Sequence, residues 1–232
     1  LIAVNLNDKC GFIDKTGKEI IPLKYECVWD FREGLAMVRN NPYGIGKCGF
    51  IDKAGKEIIS LKYEQGDEGF KEGMALVVLD GKYGFIDKTG KEIILPKYDF
   101  AFSFRDGFAV INLNKKWGII NKTGIEMTPL KYDNAAKGFT EGLLLVELIG
   151  KWGFIDKTGK EIIPLIYDDA EEFQEGLARI FLNKKWGFLD KTGKVIIPMK
   201  YDFVSDFNEG KAKVKLNGRE FSIDKTGKEV SK

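Results

Sequence analysis

An all-β tandem repeat is the fold this sequence predicts, and three observations predict it. One motif recurs along the whole 232-residue chain at intervals of 34 to 38 residues. Each copy alternates apolar and polar residues with the period of two that a half-buried strand requires. Each alternating run ends in Gly, Asn or Asp, the residues that tolerate tight turns.

Aligned on its leading glycine, the motif begins at Gly11, Gly49, Gly84, Gly118, Gly153 and Gly187, with a degenerate copy carrying Phe221. Seven units of about 34 residues result. A first strand alternates as Ala178/Ile180/Leu182, with equivalents Ile2/Val4/Leu6, Ala75/Val77/Leu79, Ala109/Ile111/Leu113 and Ala212/Val214/Leu216. It ends in Asp80-Gly81, Asn114-Lys115, Asn183-Lys184 or Asn217-Gly218, which suits a two-residue hairpin with positive φ. The second strand reads Lys-Trp-Gly-Phe-Ile-Asp. A Lys-Thr-Gly turn follows, and its glycines Gly17, Gly55, Gly90, Gly124, Gly159, Gly193 and Gly227 are expected at positive φ. The third strand, such as Lys160-Glu-Ile-Ile-Pro, runs to Tyr167. A last segment, a fourth short strand or a loop, ends in Phe173-Gln-Glu-Gly and its equivalents. Extra residues fall at turns: Gly69, Gly138, and the hairpin around Asn40-Asn-Pro-Tyr-Gly-Ile-Gly.

Pairing the first two strands across their turn places Ile180 opposite Gly187 and Ala178 opposite Leu189. On the other face Phe181 meets Trp186 and Arg179 meets Phe188. Both faces carry large apolar groups, so each small sheet needs a layer on either side, and its neighbours are the available layers. Val4, Val38, Val77, Ile111, Val146, Ile180 and Val214 are expected to be inaccessible. Ile13, Ile51, Ile86, Ile120, Ile155, Leu189 and Ile223 should pack beside them.

Composition excludes several functions. With 37 Lys+Arg against 35 Asp+Glu, nothing points to nucleic acid. The chain has no histidine, which removes the commonest general base and metal ligand. Cys10, Cys27 and Cys48 lack metal-site spacing and cannot all pair with one another. No apolar run is long enough for a membrane helix, so no membrane insertion is expected.

Asp156-Lys-Thr-Gly matches the tetrapeptide around the phosphorylated aspartate of P-type ion pumps. The same tetrapeptide recurs in most units, lysine follows where the pump motif has threonine, and one copy begins with Asn121. A nucleophile needed once is not repeated at every turn, so Asp156 reads as a turn residue whose carboxylate accepts backbone N–H groups. Gly153 to Lys160 also approaches a phosphate-binding loop, but with five intervening residues and with Glu161 after the lysine. Paired carboxylates for glycoside hydrolysis would be sought at Asp168 and Glu175. Their equivalents recur in every unit and form no unique pair. No segment has the spacing of a calcium loop. No enzymatic activity, cofactor or metal is expected.

Lys-Trp-Gly-Phe-Ile-Asp at 151–156, its variant with Leu189 at 185–190, and the following Lys-Thr-Gly-Lys resemble the bacterial WG-repeat family, also called KWG repeats. The resemblance covers essentially the whole chain. The tryptophan is replaced by Cys10, Cys48, Tyr83 and Glu220 in other units. The resemblance implies tandem β repeats, mostly without an assigned biochemical activity. An extracytoplasmic or cell-surface location follows as an expectation, with any signal peptide outside this chain.

Aromatic side chains recur in two phases: Trp117, Trp152 and Trp186 in one, Tyr25, Tyr63, Tyr98, Tyr132, Tyr167 and Tyr201 in the other. Such rings could stack on sugars or choline-like cations, and the three tryptophans are the candidate ligand-binding residues. The competing reading, favoured here, makes the rings the core between units.

The expected architecture is a single array over residues 1–232, an open superhelical solenoid-like stack, with a seven-bladed β-propeller as the alternative. Lys211, Lys213, Lys215, Arg219, Glu220 and Ser222 suit a polar cap on the last unit. Leu1, Ala3 and Phe12 make the first resemble an internal unit preceded by further repeats or another domain. The expected function is a non-catalytic scaffold for a protein partner, with a glycan or cell-wall ligand module as the alternative.

Overall fold

The alternation becomes strands throughout. The computed structural model describes residues 1–40 and 46–230; part of the expected insertion in the second sheet's hairpin, and the last two residues of the expected C-terminal strand, lie outside them. Every regular element among the described residues is a β-strand, and the strands form seven separate antiparallel sheets. The chain divides into two compact units, one of residues 1–114 and 120–125, the other of residues 115–119 and 126–232.

In the first unit the opening sheet has three strands, Ile2–Leu6, Lys9–Ile13 and Glu19–Tyr25. The second sheet adds a short strand, Cys27–Val28, before Ala36–Asn40, Lys47–Ile51 and Glu57–Tyr63. The third repeats that order with Gln65–Gly66, Met74–Leu79, Lys82–Asp87 and Glu92–Tyr98. Phe100–Ala101 and Phe108–Leu113 pair next. The second unit holds three complete sheets: Asn134–Ala135 with Leu144–Leu148, Lys151–Ile155 and Glu161–Tyr167; Asp169–Ala170 with Leu177–Leu182, Lys185–Asp190 and Val195–Tyr201; and Phe203–Val204 with Lys211–Leu216, Arg219–Asp224 and Glu229–Val230.

The segment left open as strand or loop is thus a two-residue strand, and it belongs to the following sheet. Ala170 pairs with Ile180 across the Phe173-Gln-Glu-Gly turn, so each sheet spans the boundary between two sequence repeats. The first-to-second strand registers are as expected: Ile180 faces Gly187, Ala178 faces Leu189, Arg179 faces Phe188 and Phe181 faces Trp186. Lys215 faces Glu220.

Turn chemistry follows residue type. Asn114 and Lys115, Asn183 and Lys184, Asp80 and Gly81, and Asn217 and Gly218 all take positive φ, the two-residue hairpin that matches strand twist. The seven Lys-Thr-Gly glycines lie between φ 79 and 87°. Asp156 Oδ1 accepts the N–H groups of Thr158 (2.8 Å) and Lys160 (3.0 Å) and the Thr158 hydroxyl (2.6 Å), which accounts for the whole tetrapeptide as a turn. Ile149 is the exception. It holds φ 53° in the hairpin to Gly150 and is 85% exposed. A β-branched residue is strained there and makes little buried contact in return. Ile149→Asn is expected to raise stability by about 1 kcal/mol, read as a higher denaturation midpoint; an unchanged or lower midpoint would contradict the strain.

Adjacent sheets stack through one repeated aromatic contact. The phenylalanine after the motif glycine packs on the phenylalanine that opens the next sheet: Phe12 on Phe31 (4.9 Å), Phe50 on Phe70 (4.9 Å), Phe85 on Phe104 (4.7 Å), Phe154 on Phe173 (4.9 Å) and Phe188 on Phe207 (4.8 Å). Tyr63, Phe50, Ile59, Ala75, Val77 and Ile86 share one such core, and Phe154, Ile163, Tyr167, Ala178, Ile180 and Leu189 another.

The expected buried register holds in six units and fails in the first. Val38, Val77, Ile111, Val146, Ile180 and Val214 are buried, as are Ile51, Ile86, Ile120, Ile155, Leu189 and Ile223. Val4 and Ile13 are only half-buried, and on their face Ile2 is 51% and Leu6 64% exposed. The opposite face of the same sheet, with Phe12, Ile21 and Tyr25, is covered by Ala36, Val38 and Ile51 of the second sheet. Burial here is set by the presence of a next sheet and not by the strand pattern alone.

A second expectation fails in the fourth repeat, where no third strand forms between Ile125 and Lys131. Thr128 is buried, and its Oγ1 accepts the Ile119 N–H at 3.1 Å while Met127 N–H bonds the Ile119 carbonyl at 2.8 Å. A side-chain hydroxyl thus replaces one ladder bond.

Carboxylates tie successive sheets along their turns. Glu175, at φ 52° in Phe173-Gln-Glu-Gly, accepts the Gly210 N–H (3.0 Å) and pairs with Lys225 (3.0 Å). Glu33, Glu72 and Glu141 repeat this with Gly73 and Lys88, Gly107 and Lys122, and Gly176 and Lys191. Asp168 likewise joins Lys151 (2.5 Å) to the Asn183 N–H (3.1 Å). Bonds from lysine hold Glu33, Glu141, Glu175, Asp99, Asp168 and Asp202 below their ordinary values. The threonine hydroxyls do the same for Asp14, Asp87, Asp156, Asp190 and Asp224. Groups depressed in the folded state stabilise it above their unfolded values, ordinarily 3.8 for Asp and 4.5 for Glu, and that contribution disappears as pH falls through the lowered folded values. The thermal midpoint should therefore fall modestly as pH drops below about 4.5 and go on falling through the lowered folded values, these carboxylates being largely exposed. A midpoint that rises on acidification would show these contacts to be absent.

Candidate functional site

The aromatic phases separate once the sheets form. All six tyrosines are buried, and all but Tyr132 end a third strand. Most also sit beneath the preceding lysine, as Lys62 Nζ lies 4.9 Å from the Tyr63 ring centre and Lys200 Nζ 5.2 Å from that of Tyr201. Their expected role as core is met. The tryptophans Trp117, Trp152 and Trp186 are only half-buried, and they occupy the position where each sheet meets the short strand of the following one.

Trp117 stands across from Tyr132 in an isolated bridge, since the third strand is missing there. Trp186 is covered by its own sheet. The Phe181 ring lies 4.9 Å away, and the Arg179 guanidinium lies 5.7 Å from the indole centre. Arg179 is held by Asp206 (Nε to Oδ1, 2.6 Å), the Val204 carbonyl (Nη1 to O, 3.1 Å) and, more loosely, Glu171 (3.6 Å). Trp152 lacks this cover: its cross-strand neighbour is Glu147, and Leu145 stands where Arg179 stands in the next sheet. An open cleft of about 560 Å³ remains beside Trp152, bounded by Asn134, Thr140, Leu145, Glu171, Glu172 and Asp206 among others.

Clefts recur at this phase in the first unit. One of about 460 Å³ is bounded by Trp29, Met37, Arg39, Cys48, Glu64 and Asp67. Another of about 210 Å³ is bounded by Tyr83, Leu76, Phe100, Phe102 and Ser103. Cys48 and Tyr83 hold the tryptophan's place in these sheets. The walls change from sheet to sheet while the position stays constant. The contribution of the short strand to each wall was not visible in the sequence. Its signal was the varying two or three residues before the recurrent phenylalanine: Asp67-Glu68-Gly69, Phe102-Ser103 and Glu171-Glu172.

Other sequence candidates lead elsewhere. Asp168 and Glu175 sit on different turns, each already bonded to lysine and a backbone N–H, and they form no facing pair. Cys10, Cys27 and Cys48 are free thiols, and burial pushes the Cys48 thiol up.

The third strand forms one edge of the sheet and carries Pro22, Pro164 or Pro198, each exposed, or the half-buried Pro96. Proline offers no N–H to an added strand, so these edges resist strand addition. At that proline the third strand bulges over the motif glycine. A Cβ on Gly153 would lie 2.6 Å from the Ile163 carbonyl and 2.8 Å from that of Pro164. The glycine beside the tryptophan is therefore demanded by a close backbone approach.

Comparison with known proteins places this geometry. The model of the WG containing repeat matches residues 11–47, 49–83, 83–117, 117–152, 152–186 and 186–219. No curated protein matches the sequence. Among solved structures, the chain is similar to the crystal structure of a eukaryotic initiation factor, with 10% identity, TM-score 0.56, and 99% of this chain and 72% of that chain covered. Hsv2p of Kluyveromyces lactis aligns at 10% identity and TM-score 0.43, over 85% of this chain and 74% of that chain. At such identities the first likeness concerns the fold alone. With six matched repeats spread over residues 11–219, each built on the glycine, aromatic and turn chemistry described above, the chain belongs to the WG-repeat family.

Proposed function

We propose that this chain is a non-catalytic scaffold that binds a protein partner along its repeated surface. The observation that carries the reading is the cleft recurring at the tryptophan phase with different walls in successive sheets. A partner that reads several such clefts meets a distinct set of side chains at each, which suits an extended protein surface. A module for one repeating sugar would be served by identical clefts. The proline-bearing edges support contact through side chains and not through added strands.

Affinity capture with the intact chain and with a Trp152→Ala, Phe100→Ala double variant tests this. The expected result is a co-purifying protein that the variant loses, together with an inert glycan array. Glycan binding abolished by changing Trp152 and Trp186 would instead establish the carbohydrate or cell-wall ligand module.

For the architecture, the proposal is one array in an open superhelical stack in preference to a seven-bladed propeller. The exposed Ile2 and Leu6 on the first sheet support it, because a closed ring covers both faces of every sheet. A distance measured in solution between labels on the first and last sheets tests it: a short, sharply defined separation means closure, and a long one means an open array.

A further inference from the structure

We infer that the cleft beside Trp152 is a binding site for a guanidinium group, the side chain of an arginine on a partner. The inference rests on the protein-partner reading only for the source of the arginine, and it begins from a site the chain has built and filled one repeat later. There the Arg179 guanidinium lies over Trp186, bonded to Asp206 and to the Val204 carbonyl. That arrangement combines a desolvated ring face, a carboxylate and a carbonyl, the set that recognises a planar cation.

The fifth sheet repeats the ring and the carboxylate without the arginine. Trp152 takes the place of Trp186. Counting back one repeat, Glu172 stands at the position of Asp206, and Ala170 at that of Val204. Leu145 lies opposite Phe154 as Arg179 lies opposite Phe188, so the residue that fills the slot in the sixth sheet is an uncharged, shorter one in the fifth. The slot is left as the cleft of about 560 Å³.

Charge points the same way. Glu171, Glu172 and Asp206 all border the cleft, and two of them, Glu171 and Asp206, pair with Arg179. Glu172 accepts a bond from the Thr140 hydroxyl at 2.8 Å, and a carboxylate has further acceptor capacity. The sixth sheet thus covers its tryptophan with an internal arginine, and the fifth leaves Trp152 to an external one.

The test is a titration of the isotope-labelled intact chain at low salt, followed at the Trp152 indole N–H, which is assigned by its loss in Trp152→Phe. The probes are N-acetyl-arginine amide, its neutral counterpart N-acetyl-citrulline amide, and tetramethylammonium. Arginine amide is expected to give a saturable shift, and citrulline amide none. Glu172→Gln should weaken arginine binding by about tenfold. Leu145→Arg should abolish it, because it restores the internal arginine that the sixth sheet already accommodates. No saturable shift, equal binding of citrulline, tighter binding of tetramethylammonium, or binding undiminished in Leu145→Arg would each overturn the assignment. A scaffold that captures its partner without using this cleft would still show partner loss in other variants, so the two readings fail separately.

Discussion

Ile51→Ala is expected to lower stability by about 2–5 kcal/mol, whereas the same change at Ile13 should cost well under half of that. The two isoleucines hold the same register position in successive repeats, opposite Ala36 and Ile2 respectively. Ile51 is fully buried among Phe12, Ile21, Tyr25, Ala36 and Val38. Its truncation removes apolar contact and leaves a cavity that close-packed neighbours cannot collapse to fill. Ile13 lies on the uncovered face of the first sheet and is half-buried, so water can occupy the space its side chain leaves. Chemical denaturation of both variants checks the difference. Arrays of repeats can lose cooperativity, so the comparison is best made on the midpoint and slope together. Equal losses would mean that the first sheet is covered in solution.

Gly153→Ala is expected to be the second severe substitution, at about 1–3 kcal/mol or more, with Gly118→Ala close to neutral. Alanine at 153 drives a methyl group into the carbonyls of Ile163 and Pro164, which are backbone atoms of a paired strand and cannot turn aside. At Gly118 the nearest atoms are the Leu130 Cδ2 at 3.0 Å and the Thr128 Oγ1 at 3.2 Å. Side chains can give way by the few tenths of an ångström required. Thermal midpoints of the two alanine variants decide the matter, and equal destabilisation would remove the bulge as the reason for the glycine.

The strands, their faces and their turns were legible because they depend on neighbours a few residues apart. Period-two alternation sets which side chains share a face, so Arg179 and Phe188 could be paired from spelling alone. Asp156 and Gly159 could be assigned to a turn because one carboxylate and one positive φ close it locally. The motif glycine was legible as a marker but not as a necessity, since the bulge above Gly153 appears only when the third strand pairs, and it recurs over Gly49 with Ser60 in place of the proline. In the fourth repeat the pattern predicted a strand that Thr128 replaces with its own hydroxyl, a competition that propensity does not rank.

For the candidate site, the sequence singled out Trp117, Trp152 and Trp186 as one class, and the structure divides them. Trp186 lies under Arg179, Trp117 faces Tyr132, and Trp152 borders an open cleft. The difference comes from Leu145 and from Glu171 and Glu172 just after the next short strand, residues that lie from seven to twenty positions away and border one cleft with the indole.

By itself, then, the sequence determined a tandem β protein: seven copies of one strand and turn pattern, with its register and its positive-φ residues, since these obey period and local hydrogen bonding. Only the tertiary structure decided which sheet the short strand joins, which faces are covered, and which tryptophan is left open. Those outcomes depend on contacts between residues from half a repeat to a whole repeat apart, as Phe154 with Phe173 and Glu175 with Gly210. Side-chain volume and charge at a few variable positions settle them, and no alternation of polar and apolar residues encodes that.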